Sequence, residues 1–203
     1  MFGFKLTEYD KKVYFEELLG FLPERIVDSH THVYEKKNRT NNGRPTYWPN
    51  RVAEDMTIED IVQTYKDLFP KSKVVPVIFG NPEFKLKECN EYCKEKGKEY
   101  GYPYLFLNHY NDSPEYLEEQ IVKGGFQGIK PYCCNCKDGV KSADAGIFEF
   151  MPHSHFKVAD KLGLKVVLHI SKPDRLKNPQ NVKDLMEIEQ KYPNVKLIVA
   201  HIG

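Results

Sequence analysis

No hydrophobic run in this 203-residue chain approaches the roughly 20 residues that a membrane span requires. Its start, Met1-Phe2-Gly3-Phe4-Lys5-Leu6-Thr7, lacks a secretory h-region. A surplus of one charge is also missing, since 30 basic residues stand against 29 acidic ones for a formal charge of +1. That balance gives no reason to expect a nucleic-acid or membrane-surface partner. The five cysteines are an odd number in a chain of ordinary size, which argues against a disulfide framework and for a reducing cytosol, so a cytoplasmic protein is expected. There is no short-period repeat, no low-complexity tract and no Gly-x-Gly-x-x-Gly after the first apolar run, so a dinucleotide fold loses its best support. Thirteen tyrosines and twelve phenylalanines supply the core of a globular protein. A single domain over 1–203 is expected from the length.

What is present is a pattern of histidines. Ile26-Val27-Asp28-Ser29-His30-Thr31-His32-Val33 is a short apolar run ending in two histidines one residue apart. Strand side chains alternate faces, so His30 and His32 share a face, roughly 7 Å apart along the strand. Two imidazoles on one face can grip a single zinc, iron, nickel or copper ion, or they can be hydrogen-bonded core residues. Lys165-Val166-Val167-Leu168-His169 and Lys196-Leu197-Ile198-Val199-Ala200-His201 are two more β-rich runs closed by a histidine. Three strands thus deliver histidines at their carboxyl ends, and the repetition favours metal.

Around these runs the chain alternates strand and helix. A helix from Thr7 to Leu19, capped by Thr7 with Asp10, precedes strand one, Ile26 to His32. The polar stretch Tyr34 to Asp55 is long for a connection and reads as a loop over a site. A helix from Thr57, a strand over Lys73–Phe79 and a helix from about Glu83 to Tyr100 follow. A third strand is expected over Tyr104–His109, a helix over Pro114–Lys123 and a fourth strand over Phe126–Pro131. A loop over Tyr132–Gly146 leads to a helix from about Phe148 to Leu162 and a fifth strand, Leu164 to Ile170. A helix from Asn178 or Asn181 to Tyr192 precedes the sixth strand, Val195 to His201. Runs apolar enough to be buried on both faces, joined by helices, predict a parallel α/β sheet. It is either open and doubly wound or a TIM-type (β/α)8 barrel with six strands present. Histidines that must converge on one point favour the barrel.

At these residues the sequence resembles the amidohydrolase superfamily, in particular its amidohydrolase-related, aminocarboxymuconate-semialdehyde decarboxylase-like branch. The resemblance rests on Val27-Asp28-Ser29-His30-Thr31-His32, on His169 and His201, and on Phe126-Gln127-Gly128-Ile129-Lys130 as the fourth strand. It implies a (β/α)8 barrel holding one divalent metal, zinc first and manganese second. His30, His32 and His169 would be ligands. His201 would ligate metal or contact substrate or water. It also implies a strand-eight aspartate as ligand and base, and this chain stops after the expected sixth strand. A C-terminally incomplete barrel, with strands seven and eight missing, is therefore expected, since about 250 residues are typical.

The function so implied is metal-dependent hydrolysis of a small carbonyl substrate, a carboxylated lactone, ester or amide. Non-oxidative decarboxylation of an unsaturated or aromatic acid is the alternative, and an inactive barrel serving as a binding module is a third reading. A homodimer is compatible with the sequence. Lys130 would bridge metals when carboxylated, contact substrate, or be structural. His109 ends strand three as a pocket residue or a packing one. Arg44, Arg51 and Arg175 lie in loops after strands one and five and, with Trp48, are candidates for binding a substrate carboxylate, against the default of solvated surface side chains. Asp28 is expected to point inward below the histidines and to orient one of them. Met151-Pro152-His153-Ser154-His155 falls at a helix start, where residues two apart share no face, and a surface role is expected. Cys133-Cys134-Asn135-Cys136 lacks the paired spacing of a zinc site and reads as free thiols.

Overall fold

A computed structural model describes residues 5–40 and 51–202. The chain divides into two compact units, Met1–Pro103 and Tyr104–Gly203. In the first, helix α1 (Glu8–Val13) opens on the expected capping box, with Thr7 Oγ1 accepting from Asp10 N and the Asp10 carboxylate accepting from Thr7 N. The helix widens into a π-helical turn over Tyr14–Leu18. Tyr14 is buried there, and its hydroxyl accepts from Lys71 N. Strand β1 (Arg25–His32) pairs in parallel with β2 (Lys73–Phe79). Between them α2 (Ile58–Leu68) is capped by Thr57 and Asp60. Helix α3 (Leu86–Tyr100) follows and ends on left-handed Gly101.

Helix α3 starts three residues later than the sequence suggests, because Glu83 is held outside it. Its N–H donates to Asn81 Oδ1, and its carboxylate meets Arg39. Pro76 does not interrupt β2, whose next donor, Ile78 N, bonds Pro103 O.

The second unit holds α4 (Pro114–Gly124), β3 (Gly128–Ile129), α5 (His153–Lys161), β4 (Lys165–Leu168), α6 (Pro179–Lys191) and β5 (Lys196–Val199). Strands β3, β4 and β5 form one parallel sheet in that order. The expected third strand, Tyr104–His109, is reduced to isolated bridges at Tyr104 and Phe106, the second of them parallel to Ile129. Phe106 N donates to Gly128 O and Phe106 O accepts from Lys130 N, while at Tyr104 the side-chain oxygen of Gln127 takes the N–H at 2.8 Å. The helix expected from Phe148 begins at His153 instead, behind Pro152 and a 3₁₀ turn over Ile147–Glu149. Proline biases the residue before it away from the helical region, so a helix through Met151 is disfavoured. The last strand stops at Val199, and Ala200–Ile202 turn into a 3₁₀ segment. Strand, helix and parallel strand therefore alternate as expected, in two sheets of two and three strands, with no closed barrel among the described residues.

Candidate functional site

The first imidazole pair stands at the carboxyl end of β1. Three residues of β1 span two of β2, Asp28 opposite Pro76 and Thr31 opposite Ile78, so a β-bulge lies between them. Its effect is to put Asp28 and Thr31 on one side, both against Tyr65 of α2. The Tyr65 hydroxyl donates to Asp28 Oδ2 at 2.7 Å, and the Thr31 hydroxyl completes the trio at 3.1 Å. Burial and the neighbouring carboxylate push the Tyr65 phenol up, so it stays a donor. Asp28 therefore does not point inward with the histidines, as the simple alternation predicts. It faces the helix, and its Oδ1 accepts from His30 N at 3.0 Å.

His30 and His32 flank Thr31 and so take the opposite face. Their rings lie 5.2 Å apart, and fully buried Phe79, at the end of β2, packs edge-on against both at 5.1 and 4.9 Å. His32 Nδ1 lies 3.1 Å from Gly80 O. A carbonyl only accepts, so the neutral ring carries its proton on Nδ1 and its lone pair on Nε2. A metal-ligating histidine is oriented in the same way.

The second pair is built differently. His169 follows β4 and His201 follows β5, with ring centroids 5.4 Å apart. His201 is not in the strand but has φ 61°, the left-handed region. Asp174 (φ 63°) and Arg175 (φ 44°), in the loop after β4, share that conformation. These are the non-glycine residues with positive φ among those described, and each costs of order 1–3 kcal/mol unless its surroundings hold it. Asn178 Nδ2 donating to Pro173 O and Asn181 Nδ2 donating to Arg175 O brace that loop. Burial first, then the neighbouring Lys130, His201 and Arg175, lowers His169 to about 4. Burial first, then Lys130 and Arg175, lowers His201. Both rings are thus kept neutral, the form that offers a lone pair.

Lys130, just past β3, is fully buried, with its Nζ 4.8 Å from the Tyr132 ring centroid. Burial lowers its ammonium to about 7. Cys133 lies close enough to interact with it electrostatically, and burial pushes that thiol up. All five cysteines are free. His109 is half-buried, and its Nδ1 accepts from Asn111 N, which leaves the Nε2 proton as a donor. Arg51 and Arg175 are exposed. Arg44 and Trp48 lie outside the described residues.

Two rings sharing one tetrahedral ion, at metal–nitrogen distances of about 2.0–2.1 Å, would place their centroids roughly 5 Å apart. Each pair fits that spacing, and neutral imidazoles are the right donors for zinc or manganese. Each unit supplies one pair, and among the described residues no three His, Cys, Asp or Glu side chains gather closely enough to hold an ion.

Three features were missed in the sequence. Arg39 and Glu83 form a fully buried ion pair at 3.1 Å, with Arg39 also over the Phe84 ring and donating to Glu54 O. Thr40 N and Oγ1 both reach Glu83 O, so the loop after β1 is fastened to the loop after β2. His155 was expected at the surface but is fully buried. Its Nδ1 accepts from Asn108 Nδ2, and its Nε2 donates to Asp112 O. The Tyr65 clasp is the third. Arginine and glutamate 44 residues apart carry no local signal, and a bulge carries no periodicity.

The sequence matches no protein-family model and no curated protein. Solved structures do match. One is described as a probable 2-pyrone-4,6-dicarboxylic acid hydrolase from Acinetobacter baumannii with citric acid bound, at TM-score 0.54 and 13% identity over 82% of this chain and 55% of that one. Another is 2,6-dihydroxybenzoate decarboxylase from Rhizobium, at TM-score 0.54 and 12% identity over 86% of this chain and 64% of that one. A third is a candidate amidohydrolase from Staphylococcus aureus, at TM-score 0.51 and 10% identity over 85% and 66%. The likeness is one of fold. These neighbours are amidohydrolase-superfamily proteins, and this chain spans between 55% and 66% of their lengths. No described helix is long and apolar enough to cross a membrane.

Proposed function

We propose that this chain binds a metal in the manner of a hydrolase of the amidohydrolase type, built on a (β/α)8 barrel. His30, His32, His169 and His201 would hold one divalent ion, zinc or manganese. The observation that carries this reading is the repeated placement of a close imidazole pair directly after parallel strands, in a chain whose fold resembles amidohydrolase-superfamily proteins. A bound divalent ion supplies a Lewis acid for a carbonyl and brings the pKa of a bound water towards about 7. The residues around it bind and orient. The half-exposed Nε2–H of His109 donates to a substrate oxygen. Arg175 supplies a cation for a carboxylate, and Arg51, which the structure places in a helical turn, and Arg44 and Trp48, outside the described residues, are further candidates. Lys130, with a proton affinity near neutrality, exchanges a proton at Nζ.

The substrate in this reading is a small carboxylated lactone, ester or amide, a class supported by the neighbour described as a dicarboxylic acid hydrolase. A second reading, non-oxidative decarboxylation of an aromatic or unsaturated acid, is favoured by the likeness to the dihydroxybenzoate decarboxylase. Five free thiols agree with a cytoplasmic location. The two chemistries separate in one assay. The protein is loaded with zinc or manganese and offered lactones, esters and hydroxybenzoates, while acid release and carbon dioxide release are followed. Metal-dependent acid release supports the first reading and carbon dioxide the second. Neither, with metal bound, would leave a binding module and contradict both.

A further inference from the structure

We propose that Tyr65 is a positioning residue for the His30/His32 pair, holding the bulge of β1 in the register that turns both imidazoles away from α2. In a regular strand, residues 28, 30 and 32 share one face, so Asp28 would stand with the histidines and Thr31 opposite them. The observed strand does the reverse, because three residues span two of β2 between Asp28 and Thr31. A one-residue slip moves every following side chain to the other face, so whatever fixes the bulge decides where the imidazoles point.

The clasp joins helix to strand. Tyr65 OH donates to Asp28 Oδ2 at 2.7 Å and meets Thr31 Oγ1 at 3.1 Å, so one hydroxyl ties the residue before the bulge to the residue after it. The second carboxylate oxygen of Asp28 accepts the His30 N–H from inside the bulge. The lever is short and rigid: a phenol on a helix, a carboxylate, and the backbone amide of a histidine. Tyr92 gives a natural contrast. Its hydroxyl accepts the Ile58 N–H at the start of the same helix, a hydrogen bond of similar length with no link to β1.

The metal readout of this proposal rests on the metal-binding reading, and a second readout does not. Tyr65→Phe and Tyr92→Phe are compared in the 203-residue chain, with Asp28→Asn as a further variant should Tyr65→Phe lose its cooperative melt. Zinc affinity is measured by competition with a chelator, and the ring ¹⁵N shifts of His30 and His32 are measured without metal. The expected result is a 10–100-fold weaker zinc affinity in Tyr65→Phe, as for other groups that orient metal-bound histidines. Altered tautomer shifts of His30 and His32 should accompany it, with neither change in Tyr92→Phe. If the unsubstituted chain binds no zinc, the metal reading fails and the ring shifts alone decide the positioning role. Unchanged ring shifts in Tyr65→Phe, or equal changes in Tyr92→Phe, would overturn it.

Discussion

The two imidazole pairs reach nearly the same spacing, 5.2 and 5.4 Å, by opposite means. In the first unit the backbone stays in a strand, and hydrogen bonds and packing orient the rings: a bulge, a Tyr65–Asp28–Thr31 clasp, Phe79 edge-on, and a carbonyl on His32 Nδ1. In the second unit the backbone itself is bent, with His201, Asp174 and Arg175 left-handed, and the buried amine of Lys130 acts on both rings. One pair is set by polar groups and the other by conformational strain and desolvation. Strain of this kind persists where the surroundings over-determine it, and it clusters at functional sites.

The difference can be broken most forcefully at the buried cations. Arg39→Ala should leave Glu83 charged and buried, destabilising the first unit by about 3–5 kcal/mol in urea unfolding. Lys130→Met, in the second unit, should instead raise stability near neutral pH. The folded state lowers this amine to about 7 from 10.5, so the unfolded chain binds the extra proton between those values. Stability of the unsubstituted protein should therefore rise with pH from about 7 towards 10.5, a slope that Lys130→Met removes. If both substitutions destabilise equally, the contrast between a paired and a strained half is wrong.

A smaller effect separates the units in acid. Burial lowers His155, which is fully buried and satisfied only as the neutral Nε2–H tautomer. A group with a lowered folded pKa and a basic lone pair facing an Asn108 amide loses stability as pH falls through its unfolded value of about 6.5. Amide protection factors, corrected for the intrinsic pH dependence of exchange, should fall around α5 between pH 7 and pH 5, and more than around α2. The smallest effect is at Asp174. Glycine tolerates its φ of 63°, so Asp174→Gly should stabilise by less than about 1 kcal/mol, set against the added freedom of the unfolded chain. A loss of more than that would show the loop after β4 to be unstrained.

Much of the fold was legible because its signals are local. Thr7 and Thr57 cap where their spacing to Asp10 and Asp60 says they should, and Pro114 and Gly125 bracket α4. Apolar runs mark β1, β2, β4 and β5. What was not legible depends on partners far along the chain. The third strand is reduced to bridges, and at its start Gln127, 23 residues away, takes the Tyr104 N–H. His155 is buried because Asn108, 47 residues earlier, waits for it. Asp28 turns to the helix because Tyr65 draws it there. Alternation placed His30 and His32 on one face, yet it could not foresee that the face is chosen by a bulge just before them.

X-ray absorption at the zinc edge, on the protein loaded with one equivalent of zinc, tests the central claim that both halves serve one ion. The expected signal is imidazole nitrogen at about 2.0–2.1 Å, with the imidazole contribution reduced in His32→Ala and in His169→Ala alike. Failure to retain stoichiometric zinc or manganese, or a metal shell unchanged by either substitution, would contradict it.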